Sequence, residues 1–426
     1  MRFRRWGIPL TSCAALGGKF RRIGGLVCAS VLVVGGCAEH VPSHLPSVGA
    51  IPIIAWGGVP EPEANVVRFR EMADDGLNVC MTGFSNVTNA QHGLDAAQQA
   101  GVKLIVSLQK LQTDPQHTAD QLKTYPALVG YTLRDEPNTT AFPELAAWAK
   151  QLQAADPNHY TYINLLPNYA TPDQLVAKDY HDYLEQFVRM VPTQFVSFDY
   201  YPIQQIGKST VVRGDWYHNL EDVRHVAIEH GIPFWAFALS THHFAYPTPT
   251  LAHLRLQLFS DLAYGAQALE YFTYWQSTDP IFGESPISAD GKRMPTYETV
   301  KQANVEVQGL APVFLGSQVV SVGHIGTLPA GTQRYELKAP IESVTASGVG
   351  VVVSTIRRNN RWFLVIVNRD VNLPQTVVVQ WNHSAMSGPM LRVEKDSSLH
   401  RLGGKIWRET LDPGDIAVLS WNGRGN

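Results

Sequence analysis

The residues of this chain whose types could do chemistry concentrate at the end of one apolar run, Leu128-Val-Gly-Tyr-Thr-Leu-Arg-Asp-Glu-Pro-Asn138. Leu128, Val129, Tyr131 and Leu133 read as a buried strand, and Arg134, Asp135 and Glu136 form a charged tip closed by Pro137. Two adjacent carboxylates are costly to hold beside a hydrophobic strand unless they are paired or used. Proline disfavours helix in the residue before it, so Glu136 is expected to be extended at the strand tip. A carboxyl pair of this kind suits general acid–base work, in which one group delivers a proton to a departing atom. The structural role open to the same residues is capping of the next helix, which Asn138-Thr139-Thr140 could begin.

The elements that would position this tip repeat along the chain. Short apolar runs occur at Ile51–Trp56, Leu77–Thr82, Lys103–Leu108, Leu128–Leu133, Tyr160–Leu165, Phe195–Tyr200, Pro233–Leu239 and Ala268–Trp275. Amphipathic stretches lie between them, among them Glu61–Asp75, Leu94–Ala100, Phe142–Ala155, Tyr180–Met190, Leu220–His230 and Leu251–Tyr264, with a last one at about Thr296–Leu310. Near-continuous hydrophobic strands joined by helices imply a parallel sheet covered by helices. Eight such units predict an α/β fold, a (β/α)8 TIM barrel over residues 50–315. Gly101 and Gly231, each just before a strand, suit helix C-caps. From Ser317 the texture changes to β-branched runs and turn residues, with Asn359-Asn360 as a hairpin turn, and residues 316–426 predict a small antiparallel β-sandwich.

In such a barrel all strand C-termini open onto one mouth. Collected there are Trp56 from the first strand, Gln109 and Lys110 from the third, and Arg134, Asp135 and Glu136 from the fourth. The fifth adds Asn164, the sixth Asp199, Tyr200 and Tyr201, the seventh His242 and His243, and the eighth Tyr274 and Trp275. Asp279 and Glu284 follow in a loop, whereas Glu270 sits too early on its strand to reach the mouth. Adjacent histidines on a strand point opposite ways, so a metal site built from them and Asp199 is disfavoured, and neither metal nor other cofactor is expected. Carboxyls with aromatic platforms are what cleavage of a glycosidic bond needs, one acid to protonate the leaving oxygen and a second carboxylate for the anomeric carbon. The catalytic candidates are therefore Glu136, Asp199 and Asp135. The substrate-binding candidates are Trp56, Arg134, Asn164, Tyr200, Tyr201, His242, Tyr274 and Trp275, and the expected partner is a carbohydrate.

On these residues the barrel region resembles the clan of (β/α)8 glycoside hydrolases that includes β-galactosidases and cellulases. Those enzymes carry an acid/base glutamate at the end of strand four in an Asn-Glu-Pro type motif, and Asp135-Glu136-Pro137 stands in that place. The resemblance implies Glu136 as acid/base, and it implies that the C-terminal sandwich is the accessory domain often attached to such barrels. The clan's nucleophile, a glutamate ending strand seven, has no counterpart in Phe234-Trp-Ala-Phe-Ala-Leu-Ser-Thr-His-His243. Asp199 on strand six is its replacement. Asp135-Glu136 is also similar to the pair of substrate-assisted hexosaminidases, in which Asp135 would orient an acetamido group and Glu136 would be the acid. A sugar-binding lipoprotein without catalysis is the remaining alternative.

Composition fits this picture. A net charge of −3 with 17% charged residues leaves no basic stripe for nucleic acid. Residues 1–37 read as a lipoprotein signal: arginines at 4, 5, 21 and 22, an apolar run over 24–36, then Val34-Gly35-Gly36-Cys37, which resembles the bacterial lipobox. Cys37 is the expected lipidation site, residues 38–49 a tether, and membrane attachment is expected through that anchor alone, in the cell envelope and at the outer membrane of a Gram-negative host; a plain secretory signal, with a periplasmic or secreted protein, is the alternative. Of four cysteines only Cys80 lies in the body, as a buried small hydrophobe.

Overall fold

The structure, a computed structural model, describes residues 42–423. The signal and the Cys37 anchor expected from the sequence lie outside the described residues. Eight parallel strands close into a barrel: β1 (Ile53–Trp56), β2 (Val79–Gly83), β3 (Lys103–Ser107), β4 (Leu128–Asp135), β5 (Tyr160–Leu165), β6 (Val196–Phe198), β7 (Phe234–Leu239) and β8 (Ala268–Phe272), with β1 hydrogen-bonded to both β2 and β8. Each is followed by a helix that covers the sheet: α1 (Val66–Asp74), α2 (Val87–Ala100), α3 (Pro115–Leu122), α4 (Phe142–Ala155), α5 (Tyr180–Met190), α6 (Trp216–His230), α7 (Leu251–Tyr264) and α8 (Pro295–Gly309). The local chemistry explains the boundaries. The Asn86 side chain caps α2 by accepting from the Asn89 N–H, and Gly101 ends it at φ +76°. Gly231 ends α6 in the same left-handed turn, at φ +65°, a conformation that costs glycine little.

α5 shows why amphipathic spacing suffices for an outer helix. Tyr180, Tyr183, Leu184 and Phe187 fall on one face and are buried, while Arg189 and Met190 face water. α7 differs. Every residue from Leu256 to Tyr264 is buried, because a second layer covers its outer side. That layer is the six-stranded antiparallel sheet of the C-terminal domain, in the order β9 (Gln318–Gly326), β11 (Gly350–Arg358), β12 (Arg361–Asn368), β17 (Ile416–Asn422), β14 (Ser387–Val393) and β15 (Leu399–Arg401). A three-stranded sheet of β10 (Ile341–Ala346), β13 (Gln375–Trp381) and β16 (Ile406–Leu411) closes its far side. Val351 and Val353 of β11 pack toward the small sheet with Trp381 and Trp407, whereas Val352 and Ile356 pack toward the barrel side with Leu258 and Phe259. The unbroken run Val351-Val-Val353 is thus apolar for one reason: β11 is buried on both faces. The Asn359-Asn360 turn joins β11 to β12, with Asn359 at φ +53°.

Barrel and sandwich are also joined by charge. Glu306 of α8 accepts from Arg255 Nε at 2.8 Å and from Lys395 Nζ at 2.9 Å, and Lys395 also meets Asp415 at 2.6 Å. The Glu306 side chain is 11% exposed, which leaves little water to replace it as a partner. Glu306→Ala leaves Arg255 and Lys395 with Asp415 as their shared acceptor, and a loss of about 1–3 kcal/mol is expected, read as a lowered Tm. An unchanged Tm would show that solvent screens the cluster.

Candidate active site

The mouth of the barrel holds a cleft of about 210 Å³ whose lining includes Trp56, Asp135, Glu136, Asn164, Asp199 and Tyr201. All six come from strand ends that the sequence assigns to this opening. Phe237, His243 and Phe272 complete the lining.

The carboxyls are placed by an irregularity in β4. Its register with β5 shifts between Thr132 and Arg134, a bulge that re-aims the residues after it. Asp135 still pairs with Asn164, and the next residue breaks away. Glu136 is not extended, as Pro137 alone would suggest; it lies at φ +43°, in the left-handed region. Its N–H donates to the Asn164 carbonyl at 2.9 Å, which holds it there. A non-glycine residue in this conformation costs on the order of 1–3 kcal/mol, and such strain gathers at functional sites. The turn presents its carboxyl to that of Asp199, and the two acids interact directly.

Asn164 ties the three acids together. Its Nδ2 donates to Asp135 Oδ1 at 3.1 Å and to Asp199 Oδ1 at 2.8 Å. Below it, Ser197 Oγ lies 3.1 Å from Asn164 Oδ1 and 2.7 Å from Glu270 Oε1. Asp199 is 8% exposed, and burial, with the negative charge of Glu136 beside it, pushes its carboxyl well above the ordinary range. Glu136 is raised by desolvation first and by the charge of Asp135 second. Asp135 is raised by desolvation, against which the Asn164 donor acts. Both side chains reach solvent, so these effects are weaker for them than for Asp199. Opposite the acids stands an aromatic wall: Trp56 lies 5.3 Å from Phe272, and Tyr201 5.8 Å from Phe272 and 6.2 Å from His243, ring centre to ring centre. Burial lowers the His243 pKa and favours a neutral ring.

The other sequence candidates are placed elsewhere. Arg134 is exposed and outside the cleft lining, because the bulge turns it away. Tyr200 is buried; its hydroxyl donates to Asp215, and Arg213 covers its ring at 5.2 Å, so it anchors the segment after β6. His242 exchanges backbone hydrogen bonds with Gly283 and Glu284, and its neighbour His243 takes the inward position. β8 ends at Phe272 rather than reaching Trp275, so that Phe272 is its aromatic at the cleft. Tyr274 is buried near Asp75 and Tyr297 in the helix layer, and Trp275 lies under Arg68 at 5.2 Å. Glu284 accepts from the Thr296 N–H at 2.9 Å at the start of α8. Glu270 is fully buried within the barrel, consistent with its early position on β8. Among the described residues no group of three or more His, Cys, Asp or Glu side chains is arranged to hold a metal ion.

No family model and no curated protein matches the sequence. Solved structures resemble it in fold. An Anoxybacillus α-amylase shares 10% identity over 88% of this chain and 98% of its own, with a TM-score of 0.50. A β-L-arabinopyranosidase from Geobacillus stearothermophilus, in complex with arabinose, shares 10% over 88% and 98%, with a TM-score of 0.49. An α-L-arabinofuranosidase from Thermotoga maritima shares 8% over 83% and 89%, with a TM-score of 0.44. The match to the amylase extends past the barrel into the C-terminal sheets, so the two share the fold of a (β/α)8 barrel followed by antiparallel β-sheets.

The raised Asp199 carboxyl has a signed consequence for stability. The native protein binds its proton more tightly than the unfolded chain does, so this contribution is full below the unfolded value of about 3.9. It is lost as pH rises through the raised folded value. Asp199→Asn keeps the shape but cannot ionise. It should be more stable than wild type at pH 7, with the difference shrinking toward about pH 4, in paired thermal melts. A difference that grows on acidification would show that Asp199 is ionised in the fold.

Proposed function

We propose that the chain is a glycoside hydrolase that cleaves O-glycosidic bonds of oligo- or polysaccharides, with Glu136 as general acid/base and Asp199 as the second carboxylate. The observation that carries this is the strained turn at Glu136, which joins its carboxyl to Asp199 beside Asp135 in an aromatic-walled cleft at the C-terminal end of the barrel. The fold shared with solved glycoside hydrolases, although at low identity, agrees with it. Two carboxyls in direct contact share a proton and so supply both protonation states that the reaction needs. Glycosidase carboxyls stand about 5–5.5 Å apart for retention and about 6.5–9.5 Å for inversion. A sugar entering the cleft must therefore part this pair, and Trp56, Tyr201 and Phe272 offer apolar faces to its ring.

Glu136→Gln removes the proton and keeps the shape. It should lower turnover by on the order of 10²–10⁴ on substrates with poor leaving groups, and far less on activated aryl glycosides, whose leaving group departs without protonation. Equal losses on both kinds would remove Glu136 as the acid. Asp199→Ala should be inactive on both, with azide restoring part of the activity.

A substrate-assisted route draws on a specific observation, the burial of Asp199 beside Glu136, which raises its carboxyl and favours the neutral form, a poor nucleophile. In that route Asp135 orients a 2-acetamido group and Glu136 remains the acid. Turnover restricted to 2-acetamido glycosides, together with an active Asp199→Ala variant, would select it. Binding of sugars with no turnover of any glycoside would instead mark a carbohydrate-binding lipoprotein.

The proposal extends to location: Cys37 carries the lipid that holds the protein in the cell envelope, at the outer membrane of a Gram-negative host. Cys37→Ser should move folded protein out of the membrane fraction. Unchanged partitioning would assign the attachment to another feature.

A further inference from the structure

One buried acid has no part in the chemistry above. Glu270 is fully buried on the inner face of β8, under the cleft. Tyr162 OH donates to its Oε2 at 2.7 Å, and Ser197 Oγ lies 2.7 Å from its Oε1. The same Ser197 oxygen is 3.1 Å from Asn164 Oδ1, and Asn164 Nδ2 serves Asp135 and Asp199.

Counting hydrogens resolves this chain of contacts. Ser197 has one O–H, Tyr162 has one, and an amide oxygen has none to give. If Glu270 were ionised, both hydroxyl protons would turn to the carboxylate, the stronger acceptor. Asn164 Oδ1 would then face the Ser197 lone pairs with no proton between them. A buried acceptor left this way costs about 1–3 kcal/mol, and rotation of the amide would relieve it by presenting oxygen, not N–H, to Asp135 and Asp199. With Glu270 protonated on Oε1, the Asn164 oxygen keeps its donor: Glu270 donates to Ser197, Ser197 to Asn164, and Tyr162 to the other Glu270 oxygen, so that only the 3.1 Å approach of Tyr162 OH to Ser197 Oγ carries no proton. Burial, with Asp135 as the charged group acting on it, pushes the Glu270 carboxyl up to about 8, in agreement with that arrangement.

We infer that Glu270 is a positioning residue: held neutral on the inner face of β8, it fixes the Asn164 amide through Ser197 and so keeps an N–H donor aimed at Asp135 and Asp199. Its effect on catalysis rests on the glycosidase proposal; its proton does not. Two measurements separate them. In full-length protein labelled with ¹³C at the glutamate carboxyls, the signal that Glu270→Gln removes should sit at the protonated position at about pH 6. An ionised signal there overturns the inference whether or not a substrate is known. On a glycoside that wild type turns over, Glu270→Gln should keep near-wild-type kcat, because its amide donates to Ser197 and its oxygen accepts from Tyr162. Ser197→Ala and Glu270→Met break the relay and should lower kcat about 10–100-fold with little change in KM. Wild-type kcat in both of those variants, or an equal loss in Glu270→Gln and Glu270→Met, overturns the positioning role. If wild type cleaves no glycoside, the glycosidase proposal fails, while the carboxyl signal still decides the proton on Glu270.

Discussion

A single side-chain amide organises the mouth of this barrel. Asn164 spans Asp135 and Asp199, and its backbone carbonyl receives the Glu136 N–H. Three carboxyls in so small a space repel one another when ionised, and desolvation by the surrounding side chains strengthens that repulsion. The fold meets the constraint in two ways. It supplies the Asn164 donor from β5 to Asp135 and Asp199, and it buries Asp199 against Glu136, which raises both carboxyls and disfavours two negative charges there. The strain at Glu136 has the same origin, since only a left-handed turn directs its carboxyl toward the end of β6 while Asp135 keeps its partner on β5.

Such an arrangement needs a frame that does not yield. The closed barrel gives each strand two hydrogen-bonded neighbours, so the spacing of β4, β5 and β6 cannot drift without breaking ladders elsewhere. The C-terminal domain stiffens the side of the barrel at α7, whose outer face is covered by the six-stranded sheet. The Glu306 cluster crosses the same contact, since Lys395 of the C-terminal domain reaches Glu306 of α8 and Arg255 of α7 reaches Asp415. The C-terminal domain therefore supports the barrel through packing at α7.

Much was legible in the sequence because it depends on local pattern. Eight apolar runs with amphipathic stretches between them specify strands and helices through side-chain period alone, and α4, α5 and α7 begin and end where the pattern does. Gly101 and Gly231 mark helix ends through a backbone conformation that other residues adopt at a cost. The hairpin of Ile203–Ile206 with Ser209–Val212, after β6, leaves little mark in the sequence, since its Ile-Gln-Gln-Ile run carries little alternation.

Sequence by itself determined the barrel, the domain that follows it, and the strand ends that meet at one mouth, because periodicity and chain order fix those. It brought Trp56, Asp135, Glu136, Asn164, Asp199 and Tyr201 to the cleft as a set. Tertiary structure alone decided which neighbour faces inward at each tip: His243 over His242, Tyr201 over Tyr200, and Phe272 in place of Tyr274 and Trp275. The reason is that strands end where pairing ends, and beyond that point the two-residue alternation no longer governs direction. A one-residue bulge in β4 and a left-handed residue after it are set by hydrogen bonds to β5, a partner some thirty residues away in sequence, and no local pattern in β4 records them.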